Sequence, residues 1–121
     1  MEKIKEISVF LPAYNEEKNI EKTLMNVYTN LEKAAEEYEI LVIDDGSNDK
    51  TKEVAKRFAS RHKNVKVIIH EQNKGYGAAL ISGFYNSKFK WIAFIDSDGQ
   101  FDFSEITKFI ENQRKTNADL I

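Results

Sequence analysis

The sequence predicts an α/β domain whose mostly parallel sheet carries helices on both faces. Strand-like apolar runs and helix-period segments alternate four times along the chain. The apolar runs are nearly continuous, as strands covered on both faces require. The residues able to do chemistry fall just after those runs. In an open parallel sheet, that position is the ligand-binding edge at the carboxyl ends of the strands.

Ile7-Ser8-Val9-Phe10-Leu11 reads as the first strand, ended by Pro12. Ile20, Leu24, Val27, Leu31, Ala34, Ala35 and Tyr38 follow at helical spacing, predicting a helix over about Glu16 to Tyr38. Ile40 to Ile43 is a second strand, stopped by Asp44-Asp45-Gly46-Ser47-Asn48. Val54, Ala55, Phe58 and Ala59 mark the next helix. Val65 to Ile69 is the third strand. Gly75-Tyr76-Gly77 then turns into a helix carrying Ala78, Leu80, Ile81 and Phe84. Trp91 to Ile95 is the fourth strand, expected to be fully buried, and Trp91 and the phenylalanines are expected in the core. Ser104 is a candidate N-cap for a helix carrying Ile106, Phe109 and Ile110. Ala118 to Ile121 reads as a fifth strand cut short. The expectation is therefore one domain over residues 1–121, the first part of something longer, truncated after the fourth βα unit.

Composition narrows the function classes. At 41% hydrophobic and 31% charged residues the chain can build an ordinary core. A net charge of −2 argues against nucleic acid or anionic membrane as a partner held by bulk positive charge. Without cysteine there is no disulfide, thiolate nucleophile or Cys-based zinc site, which suits the cytoplasm. No apolar run is long enough to span a bilayer, and the charged start, Met1 to Glu6, lacks the apolar block of a signal peptide.

Four loops are expected along the one edge: Pro12 to Glu16, Asp44 to Ser47, His70 to Gly77 and Asp96 to Gln100. A single Asp-Gly after a strand is ordinarily turn chemistry. Two acidic loops converging on one edge would repel one another unless a cation or ligand donors joined them. Alternating Asp96 and Asp98 before Gly99 can converge on a hard divalent cation, which holds a diphosphate and stabilises it as a leaving group. Gly75-Tyr76-Gly77-Ala78-Ala79-Leu80 lacks the third glycine of a dinucleotide fingerprint and follows the wrong strand, so its glycines read as a tight turn. His62 reads as a solvated residue at a helix end, and His70 as a loop residue near the site.

Val9 to Glu16, Val42 to Thr51, Asn73 to Ala79 and Asp96 to Asp102 together resemble glycosyltransferase family 2, over essentially the whole chain. The resemblance implies a Rossmann-like GT-A fold with an Asp-x-Asp motif, and Asp-Gly-Gln-Phe after that motif is most similar to the polyprenyl- and dolichyl-phosphate branch. It implies a nucleotide-diphosphate sugar, UDP- or GDP-linked, as donor, with Mg²⁺ or Mn²⁺ as cofactor. Pro12, Ala13, Tyr14 and Glu16 would lie against the nucleotide. Ile43 and Asp45 would close the base pocket, the carboxylate accepting from a ring N–H. Asp44 would shape the turn, and Lys74 would approach the phosphates. Asp98 would bind the metal directly, with Gln100 as second ligand. Asp96 would bind the ribose or orient the metal, beside Ser97. No catalytic base falls in this chain. A lipid-phosphate acceptor and a place at the cytoplasmic face of the membrane are expectations for the longer protein. The unfinished sheet edge leaves a homo-oligomer open. The competing expectation is a domain resembling a response-regulator receiver, whose acidic pair would follow the first strand.

Overall fold

A computed structural model describes residues 3–98. Strands β1 (Ile4–Ala13), β2 (Ala35–Asp45), β3 (Val65–His70) and β4 (Ile92–Phe94) alternate with helices α1 (Ile20–Ala34), α2 (Thr51–Arg61) and α3 (Tyr76–Asn86). All pairings are parallel, in the order β3-β2-β1-β4. The candidate helix after Ser104 and the strand at Ala118 to Ile121 lie outside the described residues. Among the described residues no helix is long and apolar enough to cross a membrane.

The pleat sends alternate residues of the central strands into two cores. Val9, Leu11 and Ala13 of β1 and Ile40 and Val42 of β2 pack with Ile20, Leu24, Val27 and Leu31 of α1 and with Ala55 and Phe58 of α2. Phe10, Leu41 and Ile43 point the other way and meet Ala79 of α3. Helices thus cover both faces, as the apolar runs predicted.

Three boundaries differ from expectation. α1 stops at Ala34, and residues 35–39 join β2 because β1 begins earlier than expected and pairs with them, Ile4 with Ala35 and Ile7 with Tyr38. Tyr38 sits at a spacing that suits either element, and the waiting strand edge decides. Tyr38 keeps a contact with α1 as a strand residue, its ring edge-on to Tyr28 at 6.2 Å. Second, β1 runs through Pro12 to Ala13. Ser8 N–H donates to Trp91 O and Ile95 N–H to Phe10 O, so residue 12 also faces the β4 side. The N–H that proline lacks would fall where β4 ends, and the β1–β2 ladder loses nothing. Third, β4 is short and lies at the edge of the described sheet. Phe94 is therefore 42% exposed instead of buried, although it stacks on Phe10 with ring centroids 5.3 Å apart. Of the other phenylalanines, Phe10 and Phe58 are core, Phe89 is partly buried and Phe84 is half exposed, while Phe101, Phe103 and Phe109 lie outside the described residues. His62 is not simply solvated: it stacks on Phe58 at 3.9 Å between centroids, and its Nδ1 lies 2.9 Å from Phe58 O.

A buried carboxylate ties the α3–β4 connection to the sheet. Glu39, 2% exposed, accepts from Ser8 Oγ (2.6 Å) and Lys88 N (2.7 Å), while Ser8 Oγ accepts from Phe89 N (3.0 Å). Above it, Gly83 lets α3 lie directly on the fully buried Phe10 ring; a Cβ there would overlap three ring atoms. Gly83→Ala should therefore destabilise by about 2 kcal/mol despite alanine's better helix propensity, which chemical denaturation would measure. An unchanged or raised midpoint would refute this close approach.

Candidate functional site

A cleft of about 560 Å³ opens at the carboxyl edge of the sheet. It is lined by Pro12, Ala13, Tyr14 and Glu16 after β1, by Asp45 at the end of β2, by Asn73, Gly75, Tyr76 and Ala79 around the start of α3, and by Asp96, Ser97 and Asp98 after β4. All four loops expected at this edge do meet there. No Lys or Arg is among the lining residues, whereas four carboxylates are.

The first two loops are laced together. Ser47 Oγ accepts from Asn15 N (3.0 Å), and Asn15 Oδ1 accepts from Asn48 N (2.8 Å). Thr51 Oγ1 accepts from Glu16 N (2.7 Å), and Asp49 Oδ2 accepts from Glu17 N (3.2 Å). Asp49 also accepts from Thr51 N (2.9 Å), so short polar side chains do here what they commonly do at helix starts and turns. Asn15 adopts φ 54°, a left-handed conformation that asparagine tolerates. Much of Val42 to Thr51 is thus architecture that holds Tyr14 and Glu16 at the cleft. Asn15, Ser47, Asp49 and Thr51 were not singled out by sequence.

Asp45 is the most heavily bonded side chain at the site. Its Oδ1 accepts from His70 Nδ1 (2.8 Å) and Lys74 N (2.9 Å); its Oδ2 accepts from Asn73 Nδ2 (3.1 Å) and Gly75 N (2.9 Å). An ionised carboxylate has about four acceptor positions, and all are taken. A base N–H could bond Asp45 only by sharing or displacing one of these donors. Burial is the largest influence on its pKa and pushes upward. The bonds from His70, Lys74 and Gly75 outweigh it, and the carboxyl ends below its ordinary value. Asp49 behaves alike: burial raises its pKa, and the bonds from Thr51 and Glu17 bring it below the usual range. A folded-state pKa below the unfolded one adds stability that is complete above the ordinary Asp value, about 3.9, and vanishes as pH falls through the folded value. Thermal melting should accordingly show a midpoint flat near neutrality that drops below about pH 4. Asp49→Asn should shallow that drop; an unaltered acid limb would contradict this role.

The Asp-x-Asp segment leaves β4 with its side chains divided. Ser97 is buried and donates to Pro12 O (2.9 Å), anchoring the segment to β1. Asp96 is exposed and accepts from Tyr76 OH (3.2 Å), while Asp98 is half-buried at the cleft. Burial, the Asp96 charge and this bond all raise the Tyr76 pKa, so the phenol keeps its proton and donates. Among the described residues no three acidic or histidine side chains gather into a closed metal cage. The donor set present is two aspartates facing an open cleft. It fits Mg²⁺ or Mn²⁺, which keep water and phosphate oxygens in their shell, better than a structural ion.

Eight residues expected at the site line the cleft: Pro12, Ala13, Tyr14, Glu16, Asp45, Asp96, Ser97 and Asp98. Two do not. Ile43 is fully buried in the core under α3, because its strand position points it at Phe10 and Ala79. Lys74 contributes its backbone N–H to Asp45, and its side chain is not among the lining groups. Gln100 lies outside the described residues. Tyr76, read only as part of a turn, lines the cleft, and His70 is no loop residue but the buried last residue of β3.

A parallel β3-β2-β1-β4 sheet with a carboxylate-lined cleft at its carboxyl edge is a Rossmann-like ligand-binding domain. The chain belongs to glycosyl transferase family 2, whose family model matches residues 8–121. It is 34% identical over 115 residues to glycosyltransferase AglE of Haloferax volcanii, covering 95% of this chain and 38% of that protein. It is 34% identical over 111 residues to the human dolichyl-phosphate beta-glucosyltransferase, covering 86% of this chain and 34% of the relative. Among solved structures it matches glucosyl-3-phosphoglycerate synthase from Mycobacterium tuberculosis in complex with Mn²⁺, uridine diphosphate and glucosyl-3-phosphoglycerate. That match has 32% identity and a TM-score of 0.62, over 77% of this chain and 33% of that one. The fold is GT-A, as the sequence motifs implied. The chain thus spans little more than a third of these curated relatives. Family membership sets the receiver-like alternative aside, as does the position of the acidic pair at the end of β2 instead of β1.

Proposed function

We propose that this chain is the donor-binding part of a glycosyltransferase that takes a nucleoside-diphosphate sugar together with Mg²⁺ or Mn²⁺. In the longer protein the sugar would pass to a lipid phosphate. The observation that carries the metal is the cleft's charge. Among the described residues, Glu16, Asp45, Asp96 and Asp98 line it and no basic side chain does, so these carboxylates repel a diphosphate unless positive charge lies between them. A bridging divalent ion would also take up charge as the sugar–oxygen bond breaks.

Asp98, half-buried at the cleft, would ligate the ion, and Asp96 would turn to the ribose or to the ion's water. Tyr76 donates to Asp96, and Ser97 anchors the segment that carries both aspartates to β1. Tyr14, 43% exposed in the same cleft, would offer a ring face to a base. The lipid-phosphate acceptor is supported by the human relative's name, and the nucleotide-plus-manganese donor by the mycobacterial complex. Isothermal titration of the full-length protein with UDP and GDP, each with and without Mn²⁺, tests the reading. One nucleotide should bind with the metal and lose most of its affinity without it, and Asp98→Ala should abolish the difference. Equal binding with and without Mn²⁺ would refute the metal's role.

A further inference from the structure

We infer that His70 is a positioning residue for the nucleotide cleft. A hydrogen-bond chain, Ser82–His70–Asp45, sets the cleft wall formed by residues 73–76. The inference rests on the donor-binding reading above and assigns a role to two residues that reading does not use.

His70 ends β3 directly opposite Asp45 in the β2–β3 register, and both side chains are buried, 8% and 5% exposed. An ionised Asp45 can only accept, so His70 Nδ1 carries the proton and donates at 2.8 Å. Nε2 then accepts from Ser82 Oγ, 2.7 Å away on α3. The ring is held at both nitrogens, and it in turn holds the carboxylate in one orientation. In that orientation Asp45 gathers the amide of Asn73 and the backbone N–H groups of Lys74 and Gly75. Asn73, Gly75 and Tyr76 are the groups this loop presents to the cleft.

The consequence is a preorganised pocket. If loss of the His70 bond leaves the loop correctly arranged about one-tenth of the time, apparent nucleotide affinity falls about tenfold. Side-chain geometry supplies the discriminating variants. Asparagine places an N–H₂ near the Nδ1 position and can still donate to Asp45. Glutamine reaches toward the Nε2 position and can serve Ser82 but not Asp45. Asparagine is the smaller of the two, so packing loss alone would make His70→Asn the weaker variant, opposite to the order expected from the hydrogen bond.

The test measures Mn²⁺-dependent UDP and GDP binding, together with amide hydrogen exchange at Lys74 and Gly75, on full-length wild type, His70→Asn and His70→Gln. The expected result is near-native affinity and slow exchange in His70→Asn. In His70→Gln, affinity should fall about tenfold and the two amides should exchange faster. Equal affinity in the two variants, whether both native-like or both weak, would overturn the inference while leaving the donor-binding reading intact. Wild-type protein that binds neither nucleotide would overturn the donor-binding reading and this role with it. The exchange rates would still show whether His70 holds the loop.

Discussion

Asp45→Ala should destabilise the protein by about 3 kcal/mol, the range expected when a buried carboxylate is removed and leaves several hydrogen-bond donors unsatisfied. The carboxylate is 5% exposed and accepts four hydrogen bonds, from His70 at the end of β3 and from Asn73, Lys74 and Gly75 in the loop that follows. Truncation would leave the Lys74 and Gly75 N–H groups, the Asn73 amide and His70 Nδ1 without their common acceptor. Water can repay part of that loss at Asn73, Lys74 and Gly75, which border the cleft, but less at the buried His70. Asp45→Asn keeps one acceptor oxygen for His70 and Lys74 and turns an N–H₂ toward the donors of Asn73 and Gly75. It should fall between wild type and alanine. Urea denaturation measures all three, and a loss for alanine within a few tenths of a kcal/mol would show that Asp45 does not organise the loop.

Gly46→Ala should cost a similar amount, about 3 kcal/mol, for two separate reasons. Gly46 has φ 72°, in the left-handed region that disfavours a Cβ. A Cβ there would also overlap the backbone N of Asn73 and the backbone C of Gln72. The β2–α2 turn and the β3–α3 loop lie in direct backbone contact, and they could admit a methyl group only by separating. Asparagine distinguishes the causes. It tolerates left-handed φ but carries the same Cβ, so Gly46→Asn should remain nearly as damaging as alanine. An asparagine variant as stable as wild type, by the same denaturation, would show that conformation alone matters there.

Both substitutions act on one small structure, the junction of residues 44–46 with 72–75, and sequence exposed it only in part. The two acidic loops, their order and their common edge were readable, because apolar runs with polar breaks fix which loops end parallel strands. Asp45 was legible as a site residue, but the partners that saturate it were not. Those bonds depend on β3 lying beside β2 in a register that sets His70 opposite Asp45, and nothing local in either segment specifies that register. The cue was His70's place at the last apolar-run boundary, which a loop residue would share. Ile43 shows the same limit from the other side. It sits one residue from the acidic pair, yet the period of two turns it into the core beneath α3.

At the helix end, Ala34, Ala35 and Tyr38 satisfy helical spacing, and only the longer β1 edge reveals why the chain extends after Ala34. Phe94 belongs to an apolar run that reads as buried, and its exposure follows from its edge position in the described sheet. By contrast, the family motifs carried the GT-A fold correctly, because their glycines, asparagines and aspartates are the residues that lace the loops together. Asn15, Ser47 and Thr51 fill that role through bonds between the first two loops.

On the proposed function, the acidic cleft should become a nucleotide site only with a divalent ion held by the Asp96–Asp98 segment. Titration of UDP and GDP into the full-length protein, with Mn²⁺ present and then chelated, tests it most directly, with Asp98→Ala as the matched variant. One nucleotide should bind tightly to wild type with Mn²⁺, and binding should be weak and indistinguishable in the chelated wild type and in Asp98→Ala. Full affinity in Asp98→Ala, or in wild type without the metal, would contradict it.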